Sequence, residues 1–170
     1  CKANLANGKA RAIIANSGNA NACAPNGEEN ARRMCAAAAA AIGCAPEDVV
    51  VASTGVIGQT LRVGVIEEGV PALYQALEHS AQASDAAAHA IMTTDMKKKE
   101  VAVETTIGGK TVRMGGIAKG SGMIHPNMGT MLCFLTTDCA ISPEMIKTAL
   151  LETVDVSFNR ISVDGDTSTN

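Results

Sequence analysis

Apolar and polar positions along this chain alternate between short β-prone runs and longer helical stretches. "ARAIIANSG" (residues 10–18) is an apolar run that stops at Asn-Ser-Gly, and it predicts a strand entering a tight turn. Residues 19–27 read as loop. A helix then starts at Asn26 or Gly27, carries Glu28 and Glu29 at the positive end of its dipole, and stops at Gly43. Residues 47–58 predict a second strand ending in a small-residue turn. Residues 62–78 predict a helix interrupted near Gly69 and Pro71, and residues 84–92 another that ends at "TTD". Two β-prone runs, 100–108 and 111–120, flank "GGK", which signals a hairpin. A glycine-broken loop over 120–129 leads into a strand over 130–138. Residues 142–154 predict a helix capped by Ser142, with Pro143 in its first turn and Glu144 following. A last strand and turn fall at 160–167. Hairpins mixed with helices predict a layered α+β (α/β) fold.

Composition narrows the picture. The 170 residues fit one ordinary domain or part of a larger one. The chain starts at Cys1 and stops in "DGDTSTN", and we expect a piece of a longer protein. A small, mixed net charge of −3 implies no broad basic surface for nucleic acid. With no Trp, one Tyr and two Phe, the sequence offers little for stacking single-stranded bases. The longest apolar run, the alanines near 36–42, falls far short of a membrane span. No signal-peptide pattern opens the chain, and the expected location is cytoplasmic. Six cysteines without a C-x-x-C pair read as reduced, mostly buried thiols.

Candidate chemistry is sparse when read residue by residue. "GGIAKGSG" lacks the spacing of a phosphate-binding P-loop, and "GSGMIH" lacks the third glycine of a dinucleotide loop. Asp164 and Asp166 around Gly165 have the charge for a divalent cation; a turn that caps its own backbone is the plainer reading. His125, before Pro126, has no serine or cysteine at a recognisable spacing and reads as a loop-fixing hydrogen bond. Cys133 reads as a structural thiol on the face shared with Met131 and Leu135. Thr130 stands where the loop becomes a strand. It is an ordinary first residue of a strand, or else a nucleophile. If Thr130 began a chain, its own α-amine, titrating at about 7.7–8.0, would serve as the base. The Gly129–Thr130 bond would first have to break, and the Thr130 hydroxyl is placed to attack the preceding carbonyl. Glycine at 129 tolerates the strained geometry this requires.

Five phrases in order carry a resemblance over essentially the whole chain: "NSGNANAC" (16–23), "VASTGVIG" (51–58), "IMTTD" (91–95), "AKGSGMIHPNMGTML" (118–132) and "FNRISVDGDTSTN" (158–170). In these the chain resembles the ornithine acetyltransferases, also called glutamate N-acetyltransferases, of arginine biosynthesis. The resemblance implies an αββα sandwich similar to self-cleaving aminopeptidases, only part of it present here. It implies cleavage between Gly129 and Thr130, so that residues 1–129 end an α chain and 130–170 begin a β chain. It implies Thr130 as nucleophile, Thr54 and Gly55 as oxyanion donors, and Thr93, Lys119 and Thr130 as substrate-binding residues. The implied reaction moves an acetyl group from N-acetylornithine to glutamate by ping-pong through an acetyl-threonine. No metal or organic cofactor is implied; acetyl-CoA is a further co-substrate of some members. Implied partners are the α and β chains of one precursor, as a heterotetramer, with no nucleic acid or membrane. The alternatives are a self-cleaving aminopeptidase or amidohydrolase relative, and an inactive binding or assembly module. Two positions depart from the family pattern. Gly129 stands where alanine is usual, and "MKKKE" (96–100) follows "TTD" where a Thr-Phe-Pro-Lys type of sequence is frequent. The family's β-chain glutamate and its C-terminal Asn and Thr or Ser lie outside these residues.

Overall fold

The structure is a computed structural model and describes residues 1–168, in two compact units that meet in sequence at Ala87–Ala88. In the first unit, β1 (Ala12–Asn19) and β2 (Val49–Val56) pair in parallel, from Ala12 opposite Val49 to Asn19 opposite Val56. A parallel pair needs a crossover, and α1 (Gly27–Ile42) supplies it. α1 buries Asn30, Met34, Cys35, Ala38 and Ala39, the three-to-four spacing of one helical face. That face closes on Ile14, Val49, Leu61, Val63 and Val70. Gly43 ends α1 at φ 79°, its N–H donating to the Ala39 carbonyl. Asn26 starts the helix as expected, but at φ 57° its side chain makes no capping bond.

α2 (Val63–Gln75) runs unbroken through Pro71, where an interruption was expected. Proline removes one backbone donor. Burial of Val63 and Val70, together with a bidentate ion pair from Arg33 of α1 to Glu67 at 2.7 and 2.5 Å, outweighs that loss. The chain then passes through α3 (Ala81–Ala90) into the second unit.

β3 (Lys99–Ile107) and β4 (Lys110–Lys119) form the expected hairpin. Its turn is Gly108–Gly109 at φ 57° and 76°, the positive values that a tight hairpin turn demands. Residues 120–129, expected as loop, contain a second small hairpin of β5 (Ile124–His125) and β6 (Met128–Gly129). Pro126 presets the first turn position and Asn127 takes φ 71° at the second, the type II pattern. β7 (Leu132–Thr137) returns to pair with β4, giving the sheet order β3-β4-β7. α4 (Pro143–Val156) begins as expected, the Ser142 hydroxyl accepting from the Met145 N–H at 3.2 Å.

The strand expected at 160–167 does not form. A 3-10 turn at Phe158–Arg160 is followed by an irregular segment. That segment makes one ladder-like bond, from Val163 N–H to the Ile124 carbonyl at 3.0 Å. The N–H groups of Met123 and Ile124 go to the Asp164 carboxylate instead, at 2.6 and 3.1 Å, so a side chain takes the donors a backbone ladder would use. The six cysteines are free thiols, but fewer are buried than expected. Cys35 is buried, Cys44, Cys133 and Cys139 are half-buried, and Cys1 and Cys23 are exposed in irregular segments. Among the described residues no helix is long and apolar enough to cross a membrane.

Candidate active site

In the first unit the parallel pairing lays "NSG" beside "STG": Asn16 faces Ser53, Ser17 faces Thr54 and Gly18 faces Gly55. The Ser53 hydroxyl donates to Asn16 Oδ1 at 2.6 Å. The strands close here because both glycines take conformations closed to other residues, φ 113° at Gly18 and 129° at Gly55. A Cβ on Gly55 would lie 2.2 Å from the Gly18 carbonyl carbon and 2.5 Å from the Asn19 nitrogen. The hydroxyls of Thr54 and Ser17 are both buried without a hydrogen-bond partner among the described residues. A buried hydroxyl left so costs about 1–3 kcal/mol. The buried Ser17 hydroxyl was not legible in the sequence, because Asn-Ser-Gly is also an ordinary turn signal.

In the second unit β4 delivers Lys119 at its last position, almost fully buried at 2% exposure. Its ammonium donates to the Thr93 hydroxyl at 3.0 Å. The structure therefore joins two of the residues that sequence resemblance singled out. Burial pushes the Lys119 pKa down; Asp95 opposes this and Lys99 adds to it. Asp95, buried, accepts from the Gly120 N–H at 2.8 Å and the Thr93 N–H at 3.5 Å, and pairs with Lys99. Burial pushes the Asp95 carboxyl up, but the Lys99 pairing and the two N–H bonds outweigh it and hold it below the usual carboxylate range. Asp95 stands in the sequence as the end of a helix and of the phrase "IMTTD", with no role of its own. The signal available was a carboxylate with a lysine four residues on, inside the divergent "MKKKE". That run thus supplies an ion pair to the lysine pocket.

Thr130 follows β6, and its N–H donates to the Met123 carbonyl at 3.2 Å. Its hydroxyl oxygen is buried and has no partner among the described residues. Met123 is held at φ 56°, unusual for a residue with a side chain. Asp164 holds it there by accepting from Met123 N–H, the main cause of that carboxyl's lowered pKa. The expected self-capping turn is also present, the Asp166 N–H reaching Asp164 Oδ1 at 3.3 Å. His125 Nδ1 lies 3.4 Å from the Ser162 hydroxyl, the loop-fixing contact read from the sequence. Met131, Cys133 and Leu135 line one wall of an apolar cavity of about 450 Å³, so they share a face as alternation predicts. Burial raises the Cys133 pKa, as befits a structural thiol.

A family model described as the ArgJ family matches residues 1–170. This chain belongs to the ArgJ family. The ArgJ relatives include the glutamate N-acetyltransferase of Methanocaldococcus jannaschii, 51% identical over 164 residues, 95% of this chain and 40% of that protein. The arginine biosynthesis bifunctional protein ArgJ 1 of Nostoc sp. is 50% identical over 162 residues, 95% of this chain and 39% of that protein. This chain thus spans about two fifths of the length of the curated relatives it matches. The ornithine acetyltransferase of Mycobacterium tuberculosis, solved with ornithine, matches with a TM-score of 0.66 and 38% identity over 73% of this chain and 66% of that one. The arginine biosynthesis bifunctional protein ArgJ of Bacillus halodurans matches with a TM-score of 0.61 and 41% identity, over 71% of this chain and 61% of that one. The mixed helices and sheets described above are therefore part of an ArgJ fold.

Proposed function

We propose that the full-length protein carrying this chain is a glutamate N-acetyltransferase that moves acetyl from N-acetylornithine to glutamate. The observation that supports this best is the buried Lys119 ammonium on the Thr93 hydroxyl, in the same unit as a buried, unpartnered Thr130 hydroxyl. Both substrates carry an α-carboxylate, and a desolvated ammonium beside a hydroxyl suits a carboxylate better than any neutral group.

The precursor cuts itself between Gly129 and Thr130, leaving residues 1–129 at the end of one chain and 130–170 at the start of the next. The Thr130 oxygen attacks the Gly129 carbonyl, the C–N bond breaks with its nitrogen taking a proton, and water hydrolyses the resulting ester. The freed α-amine then takes the hydroxyl proton as Thr130 attacks the acetyl carbonyl of N-acetylornithine. Thr54 and Gly55 stabilise the oxyanion. Ornithine departs with a proton, and the glutamate amine takes the acetyl group from Thr130. No metal or organic cofactor enters these steps. The chains associate as αβ pairs and then as heterotetramers in the cytoplasm.

The test is two-substrate kinetics on the full-length protein. Parallel double-reciprocal lines and an acetyl group trapped on Thr130 without glutamate are expected. Release of free acetate at the same rate with or without glutamate overturns the transferase in favour of a hydrolase. The same assay with acetyl-CoA as donor decides whether a second acetylating activity is present.

Lys119 gives a separate prediction. Lys119→Met keeps the buried volume and removes the charge. We expect KM for N-acetylornithine and for glutamate to rise together by about 10- to 100-fold, the loss of one charge-assisted contact. In the wild type, burial makes the ammonium titrate below an ordinary lysine. Both KM values should therefore climb with pH earlier than an exposed lysine would allow. Fold stability should move the other way. The folded state binds fewer protons than the unfolded one between the lowered and the ordinary pKa, so stability rises with pH across that window. KM values measured against pH, with parallel melting curves, check both signs.

A further inference from the structure

Residues 162–164 lie along 123–125 and are tied to them at each step: Ser162 Oγ to His125 Nδ1, Val163 N–H to the Ile124 carbonyl, and the Asp164 carboxylate to two N–H groups. Asp164 uses both oxygens. Oδ2 takes the Met123 N–H at 2.6 Å, while Oδ1 takes those of Ile124 at 3.1 Å and Asp166 at 3.3 Å. Gly122 lies against the carboxylate, at a distance where even a Cβ would make only ordinary contact, 3.4 Å from Oδ2. The result is an unusual backbone: Met123 at φ 56°, with its carbonyl receiving the Thr130 N–H at 3.2 Å. A lone left-handed residue with a side chain persists only where its surroundings over-determine it. Here the short bond on the Met123 N–H comes from one carboxylate, 41 residues away in sequence.

We propose that Asp164 is a positioning residue for Thr130, acting through the Met123 peptide. Its carboxylate fixes Met123 so that the carbonyl holds the Thr130 nitrogen, first as the amide of the bond to be cut and then as the freed amine. This rests on the reading of Thr130 as a self-released nucleophile. A nitrogen tethered on one side keeps its remaining direction for its own hydroxyl, and small misplacements of a reacting group carry large penalties in rate. The carboxylate neither touches substrate nor exchanges protons in the reaction.

The test uses the full-length precursor and its Asp164→Ala and Asp164→Asn variants. The readouts are the first-order rate constant of chain cleavage, and kcat per acetyl-enzyme formed, alongside KM. Neither rate readout depends on how much of a preparation is folded. Asp164→Ala should slow cleavage by about 10- to 100-fold and lower kcat per acetylated site, with KM for glutamate within about twofold of wild type. Asp164→Asn keeps one acceptor oxygen for three N–H groups and should fall between the two, a partial rescue. Equal cleavage constants in wild type and Asp164→Ala, while the wild type cleaves, overturn this proposal alone. So does a loss confined to the yield of folded protein. A wild type that never cleaves overturns the reading of Thr130 and this proposal with it.

Discussion

Thr130→Ala stops both events assigned to this residue. The precursor stays one chain, and acetyl transfer falls by about three orders of magnitude or more, the scale on which removing a covalent nucleophile acts. The hydroxyl that is lost has no hydrogen-bond partner among the described residues, so its removal orphans nothing in the fold. The variant should fold at least as well as wild type, because a buried unsatisfied oxygen is gone. That pairing, full stability with no activity, separates a nucleophile from an ordinary first residue of a strand. Thr130→Ser keeps the oxygen and should still cleave, more slowly, since serine lacks the methyl group that restricts χ1. Melting curves with mass spectrometry and initial rates give all three readouts.

Gly55→Ala should be the most damaging single methyl in the first unit. The new Cβ would lie 2.2 Å from one backbone atom of the neighbouring strand and 2.5 Å from two more. Backbone does not swing aside as a side chain does, so β1 and β2 must part at Gly18 and Gly55. With φ at 129° adding strain of its own, the cost is about 3 kcal/mol or more. Thr54 shares the displaced segment, so whatever activity remains in folded protein should fall as well. Gly58→Ala is the control. Gly58 also has positive φ, at 79°, but a Cβ there meets open space, and the cost should stay near 1 kcal/mol. Denaturant titration of the two full-length variants distinguishes a clash from mere backbone strain.

Much of the fold was legible because it follows local rules. β1, β2, the β3–β4 hairpin, α1 and α4 fall where periodicity and end signals place them, and Gly43, Gly108–Gly109 and Ser142 perform the roles their residue types suggest. Local reading failed where distant groups decide. α2 survives Pro71 because Val70 is buried and Glu67 is held by Arg33. The segment after α4 looks like a strand in sequence, but Asp164 takes the donors that would have paired it. The β5–β6 hairpin was hidden because Pro126–Asn127 supports so short a pair.

The site divides in the same way. Thr93, Lys119 and Thr130 were recognisable by phrase, yet no spacing rule told that Lys119 would be buried on the Thr93 hydroxyl. Asp95 and Asp164 act through contacts 25 and 41 residues distant, beyond the reach of local pattern.

The measurement closest to the central claim is the intact mass of the purified full-length protein under denaturing conditions, with N-terminal sequencing of each piece. The account predicts two chains that meet between Gly129 and Thr130, the second beginning Thr-Met-Leu-Cys. A single chain whose Gly129–Thr130 bond survives long incubation, in protein that still transfers acetyl groups, would contradict it.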